Sequence, residues 1–101
     1  MRDPTNTREN AALDQAEAAR QAAEQRAEIE DIKWLLSHRP GRRFAWRLMG
    51  EAGVFRSTFH TSGSVMTFNE GKRAAGLQLL TQIMEHAPDA FLQMQNEAKS
   101  R

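Results

Sequence analysis

The chain has 101 residues, with 14 Lys and Arg against 13 Asp and Glu, and no cysteine. That length accommodates one compact domain with a modest core. The lack of cysteine excludes disulfides, thiolate nucleophiles and cysteine-based zinc or iron–sulfur sites. Charge is unevenly placed: residues 1–37 hold 5 basic and 8 acidic side chains, residues 38–60 hold 5 against 1, and the remainder holds 4 of each.

The opening stretch, MRDPTNTREN, lacks the apolar core of a secretory signal, and no segment approaches the roughly 18 apolar residues of a membrane helix. No membrane anchor is expected. Asn6 and Glu9 are spaced as a capping box, with Asn6 accepting a backbone N–H, which predicts a helix starting near residue 7. Residues 10–28 contain eight alanines with Gln, Glu and Arg and no Gly, Pro or β-branched residue, a strongly helical composition. They lack an apolar stripe, because Leu13 is the only large hydrophobe and the ladder Ala12, Ala16, Ala19, Ala23 ends at Arg26. Residues 1–28 therefore read as a polar helical arm, partly disordered or ordered by a partner.

Ile29, Ile32, Leu35 and Leu36 then fall at helical spacing and open the folded part, residues 29–98. Pro40 suits the first turn of a second helix, and Gly41 makes that turn permissive. Phe44, Ala45, Leu48, Met49 and Ala52 share one face, while Arg43, Arg47 and Glu51 share another. Ser64 is expected to cap a third helix whose 3.6-residue period runs through Val65, Phe68, Ala75, Leu79, Leu80, Ile83 and Met84. Gly71 and Gly76, each disfavoured there by about 1 kcal/mol against alanine, predict close approach of another backbone. Pro88 begins a short last helix with Phe91, Leu92 and Met94 as its apolar residues. The predicted fold is all-α: a long alanine-rich N-terminal helical arm followed by a small three- to four-helix domain.

No enzyme is legible. His38, His60 and His86 lie on separate segments without metal-ligand spacing, and Glu30 and Asp31 adjoin on a helix and point apart. Ser57, Ser62 and Ser64 suit turns and caps, and the glycines never reach the spacing of a phosphate-binding loop. Catalytic, cofactor and metal sites are all expected to be absent.

The corner GEAGVFRSTFH, residues 50–60, has the outline of a helix-turn-helix with Gly53 in the turn. Met49 crowds the position that normally holds a small residue, Ser62 falls where a second packing residue is needed, and Gly63 ends the second helix early. Gly53 is better read as a helix-ending residue, with Val54, Phe55 and Phe59 as an apolar plug or docking surface.

Residues 31–94 carry a resemblance in DIKWLLSHRPGRRFAWRLMGEAGVFRSTF, FNEGKRAAGLQLL and APDAFLQM. They are similar to a family of small proteins encoded among the virion genes of tailed bacteriophages, especially short-tailed, podovirus-type ones. Asp31, Trp34, Gly41, Arg42, Arg43, Trp46, Gly53, Phe55, Ser57, Phe68, Glu70, Gly71 and Arg73 occupy the places of the family pattern. His38 and Arg39 depart from it, standing where a small capping residue and Pro-Glu are more usual.

The resemblance implies a non-enzymatic structural protein of the phage particle, near the portal, tail junction or internal ejection proteins. Its partners would be other phage structural proteins or further copies of itself, with the chain in the host cytoplasm before assembly and in the virion after it. A core of about 70 residues is marginal alone and gains from assembly. Trp34, Trp46, Phe55 and Phe59 are candidate anchors, and Arg42, Arg43 and Arg47 are candidates to pair with acidic partners. The alternatives are a DNA-contacting accessory protein using those arginines with Lys72 and Arg73, and a phage regulator that binds one host protein.

Overall fold

A computed structural model of the chain describes residues 4–101, so the first three residues of the polar N-terminal stretch lie outside the described ones. The chain is all-α, with helices α1 (Thr7–Leu36), α2 (Arg39–Ala52), α3 (Gly63–His86) and α4 (Pro88–Lys99) and no strand among the described residues. It divides into two units, Met1–Glu30 and Asp31–Arg101. No helix among the described residues is long and apolar enough to cross a membrane.

In the first unit, Asn6 Oδ1 accepts the Glu9 backbone N–H at 2.9 Å, and Asn6 Nδ2 donates to Glu9 Oε2 at 2.9 Å. The reciprocal pair satisfies one orphan donor and fixes the helix start at Thr7. Beyond it, Arg20 bridges Glu24 at 3.1 Å one turn on and lies 3.9 Å from Glu17, pairs of the kind that support a helix without a packed face.

The second unit holds the core: Leu36, Ala45, Met49, Val54, Ile83, Ala90 and Met94 are buried, and Ile32, Trp46, Leu79, Leu80 and Phe91 pack against them. Helix α2 is its centre, packing on both α3 and α4. It enters through Pro40 in its first turn, after an extended His38 whose carbonyl accepts the Arg42 N–H at 3.0 Å. Gly41 is more than a permissive turn residue. It is buried against α1, where a Cβ would sit 1.9 Å from the Leu35 carbonyl oxygen, so a side chain there collides with backbone.

At its other end α2 closes in a complete Schellman motif. Gly53 adopts φ +87°, its N–H donates to the Gly50 carbonyl at 3.1 Å, and the Val54 N–H donates to the Met49 carbonyl at 3.1 Å. Val54 and Met49, the hydrophobic pair that accompanies the motif, are both buried. The turn drives Val54 against α3 at Gly76, where a Cβ would lie 2.5 Å from Val54 Cγ2 and 2.7 Å from Ala52 Cβ. Gly71 sits in open space, with nothing within 4 Å of an added Cβ. The close approach expected at both glycines thus occurs at Gly76, because α2 and the plug meet only that part of α3.

Three local expectations are corrected. The N-cap of α3 is Ser62, whose Oγ accepts the Val65 N–H at 3.4 Å; Gly63 joins the first turn and Ser64 lies inside it. In the N-terminal half of α3, Val65 and Phe68 are exposed, as are Ala75 and, near its end, Met84, because only the segment from Gly76 to Ile83 packs on the core. In α4 the buried positions are Ala90 and Met94, whereas Leu92 is exposed on the opposite side.

One acidic residue ties three helices. Glu97 of α4 accepts from Arg42 Nε at 2.6 Å and pairs with Arg39 Nε at 3.2 Å, while Arg42 Nη1 donates to the Leu36 carbonyl at the end of α1 at 3.0 Å. The Arg42 and Glu97 side chains are 12% and 18% exposed, against 64% for Arg39.

Two stability series follow. Gly76→Ala is expected to destabilise by about 1–3 kcal/mol through overpacking, despite the better helix propensity of alanine, and Gly53→Val by about 1–3 kcal/mol because a β-branched residue is forced into the left-handed region. Gly71→Ala should stabilise by up to about 1 kcal/mol; urea denaturation of the three variants checks both the signs and the contrast. Glu97→Ala should cost about 2 kcal/mol or more by leaving Arg42 charged and largely enclosed, while Arg39→Ala stays within about 1 kcal/mol. Equal losses in those two would show that Glu97 does not act through Arg42.

Candidate functional site

The basic segment does not present its arginines as one group. Arg42, expected to meet an acidic partner, is turned inward and neutralised by Glu97. It is a structural residue, because the first turn of α2 places it between the end of α1 and the side of α4. Glu97 is the functional neighbour that residue patterns on α2 alone cannot find, being 55 positions away in sequence. Arg43 and Arg47 remain exposed; Arg47 sits 5.6 Å over the Phe44 ring, and the Arg43 guanidinium makes no ion pair or hydrogen bond among the described residues.

The aromatic candidates divide into two environments. Trp34 is 67% exposed near the end of α1, its ring 4.8 Å from that of His38. The end of that helix is capped by side chains: Ser37 Oγ donates to the Trp34 carbonyl at 2.6 Å, and His38 Nδ1 lies 2.8 Å from the same oxygen. Trp46 is half-buried between Phe55, stacked at 4.8 Å, and Phe91 at 6.0 Å. Phe55 thus covers the tryptophan with one face and keeps the other open, while Phe59 is 78% exposed in the connection after it. Val54 alone of the expected plug is fully enclosed.

Two concave surfaces flank this frame. The first is a small apolar cleft of about 90 Å³ between the end of α1, α2 and α3, lined by Ile32, Leu35, Phe44, Leu48, Leu79 and Ile83 among others. Phe44 and Leu48 form its rim and are half-exposed, although their spacing with Ala45 and Met49 placed them on the core face. Four apolar positions on one 14-residue helix span a wider arc than the neighbouring helices cover, so two of them are left at the edge.

The second is a polar cleft of about 310 Å³ at the α2–α3 corner, lined by Gly53, Arg56, Ser57, Thr58, Asn69 and Lys72 with Ala52. Arg56 Nη2 donates to the Gly50 carbonyl at 3.4 Å, the Thr58 hydroxyl donates to Glu70 Oε1, and Lys72 lies 5.2 Å over the Phe68 ring. Arg56, Thr58 and Asn69 did not stand out from the sequence. Their relation depends on folding the connection 53–62 back along α3, which has no periodic signature.

That connection also removes the helix-turn-helix outline. Residues 53–62 contain no helix, and α3 begins only at Gly63, so no second helix follows a tight turn after Gly53. His38, His60 and His86 remain on three segments, with His60 Nδ1 accepting the Ser62 N–H at 2.9 Å within its own turn. Among the described residues no three His, Asp or Glu side chains come together in a group able to hold a metal. The surface presents exposed aromatics, an apolar cleft and a cationic one.

No curated protein and no solved structure matches the chain. Residues 32–96, which include the whole of α2, α3 and both clefts, match the Bbp19-like phage protein family. With well over half of its length covered by that match, the chain belongs to the Bbp19-like phage protein family.

Proposed function

We propose that this phage protein is a non-enzymatic interaction module of the virion, docking in several copies near the portal, the tail junction or the internal ejection proteins. The observation that carries the reading is the placement of the aromatic residues. None of the seven aromatic side chains is fully buried, and five of them, Trp34, Phe44, Phe55, Phe59 and Phe68, are exposed. Aromatic rings are the largest apolar surface available to a small core, and a chain that leaves most of its rings outside gains the most when another protein covers them.

The apolar cleft concentrates that surface. Phe44 and Leu48 stand at its rim with Ile32 and Leu35 across it, and the exposed Arg43 and Arg47 lie on the same helix as a charged border. An apolar centre with a charged rim is the usual organisation of a protein-binding patch. The polar, alanine-rich first unit supports the same reading, since a helix without an apolar face is ordered most readily by a neighbour. These surfaces accommodate phage structural proteins or further copies of this chain, with the protein in the host cytoplasm until the particle assembles.

Mass spectrometry of purified particles tests the placement: the protein should be present in multiple copies, and its absence from particles would sink the proposal. The cleft has its own test. Leu48→Glu should weaken self-association or particle incorporation by about tenfold or more, the loss expected when one anchor contact is replaced by a buried charge. Its melting temperature should stay close to that of the parent, because Leu48 is already half-exposed. Full incorporation of the variant would remove the cleft from the docking surface.

A further inference from the structure

The polar cleft at the α2–α3 corner has a composition that docking through aromatics does not use. Its two cations, Arg56 and Lys72, make no ion pair among the described residues, in contrast to Arg42 and Arg39, which share Glu97. The carboxylate in contact with the lining, Glu70, is engaged by the Thr58 hydroxyl instead. The carbonyls at the end of α2 accept the Val54 and Gly53 N–H groups of the Schellman turn, and that of Gly50 also takes Arg56 Nη2 at 3.4 Å, a long bond to a neutral acceptor. Neither cation is matched by a carboxylate, and positive charge faces a concave space of about 310 Å³.

The uncharged lining supplies donors. Ser57 Oγ accepts the Phe59 N–H at 3.1 Å, which leaves its own hydroxyl proton to be donated. The Asn69 side chain makes no hydrogen bond among the described residues, and its amide carries two N–H donors. Lys72 is held over the Phe68 ring at 5.2 Å, which orders its long stem. A planar guanidinium fork, an ammonium, a hydroxyl and an amide around one cleft are the groups that recognise a tetrahedral oxyanion with several acceptor oxygens.

We infer that this cleft, built by Arg56, Ser57, Asn69 and Lys72, is a binding site for a phosphate group. The phosphate belongs either to a DNA backbone or to a small phosphorylated compound, and the chemistry of the site is the same for both. Contact with DNA here would hold the backbone, the part of a duplex that carries no sequence information.

The test uses the full chain, its Arg56→Gln/Lys72→Gln variant, and an Arg43→Gln/Arg47→Gln variant that removes two exposed arginines not lining the cleft. Inorganic phosphate, titrated at low ionic strength, should shift the NMR amide signals of Gly53, Ser57 and Asn69 saturably. Affinity should fall by about tenfold in the cleft variant, the order expected for losing charge-assisted hydrogen bonds to one phosphate, and stay unchanged in the other. A short DNA duplex, followed by fluorescence anisotropy, then identifies the source. Duplex binding whose log–log salt slope drops by about 1 in the cleft variant assigns the phosphate to a DNA backbone. Phosphate binding without cleft-dependent duplex binding assigns it to a small compound. Absence of saturable phosphate shifts, or equal weakening in both variants, overturns the site. Unchanged circular dichroism and melting of the two variants separate either result from misfolding.

Discussion

The contact between the end of α2 and the middle of α3 governs the rest of the molecule. Gly53 turns the chain through the left-handed region, Val54 is thereby pushed inward, and Gly76 offers the one position on α3 where no Cβ obstructs it. Each part requires the others. With an ordinary residue at 53, the turn would lose its conformation and Val54 its direction; with a side chain at 76, the helices would separate and Met49, fully buried behind the plug, would lose its packing. The fold thus depends on a geometric fit of a few atoms more than on a large apolar interior, as expected for a unit of about 70 residues.

Electrostatics secures what that fit positions. Glu97 reaches from α4 to Arg42, and Arg42 reaches on to the last carbonyl of α1, so a single guanidinium serves as both an ion-pair partner and a helix cap. A partly enclosed pair of this kind contributes through its hydrogen-bond geometry more than through charge alone. The consequence reaches the surface: two of the five arginines that make residues 38–60 basic are committed to Glu97, and the segment presents less positive charge to a partner than its composition suggests.

Local features were legible where local chemistry decides them. The Asn6–Glu9 cap, the first turns that hold Pro40 and Pro88, and the role of Gly53 each follow from a few adjacent residues. Apolar period is a poorer guide on α3, because a 24-residue helix carries apolar residues along its whole length while α2 and α4 cover only part of it. Phe68 and Val65 have the right spacing and yet lie outside the core. The family match was visible in residues of the second unit, yet the clefts were not, since Glu97, Arg56 and Asn69 acquire their roles from neighbours distant in sequence.

The division of surfaces bears on how the proposed docking would work. Apolar rims and open aromatics give affinity that is insensitive to salt, whereas a cationic cleft responds to ionic strength and to competing anions. The apolar cleft draws on α1, α2 and α3, and the cationic one on the corner beyond the end of α2, so the two are lined by different residues. Occupying one therefore leaves the other open. Under the proposed function, a neighbouring protein would be held by the apolar side while a phosphate group is held at the corner. The same α2–α3 contact fixes both surfaces, because Ala52 and Gly53 border the polar cleft, and Leu48 and Ala45, one and two turns earlier, border the apolar one. Rigidity at Gly76 is thus a condition for presenting either surface, and the tightness of that contact is better understood as a requirement of display than of core volume alone.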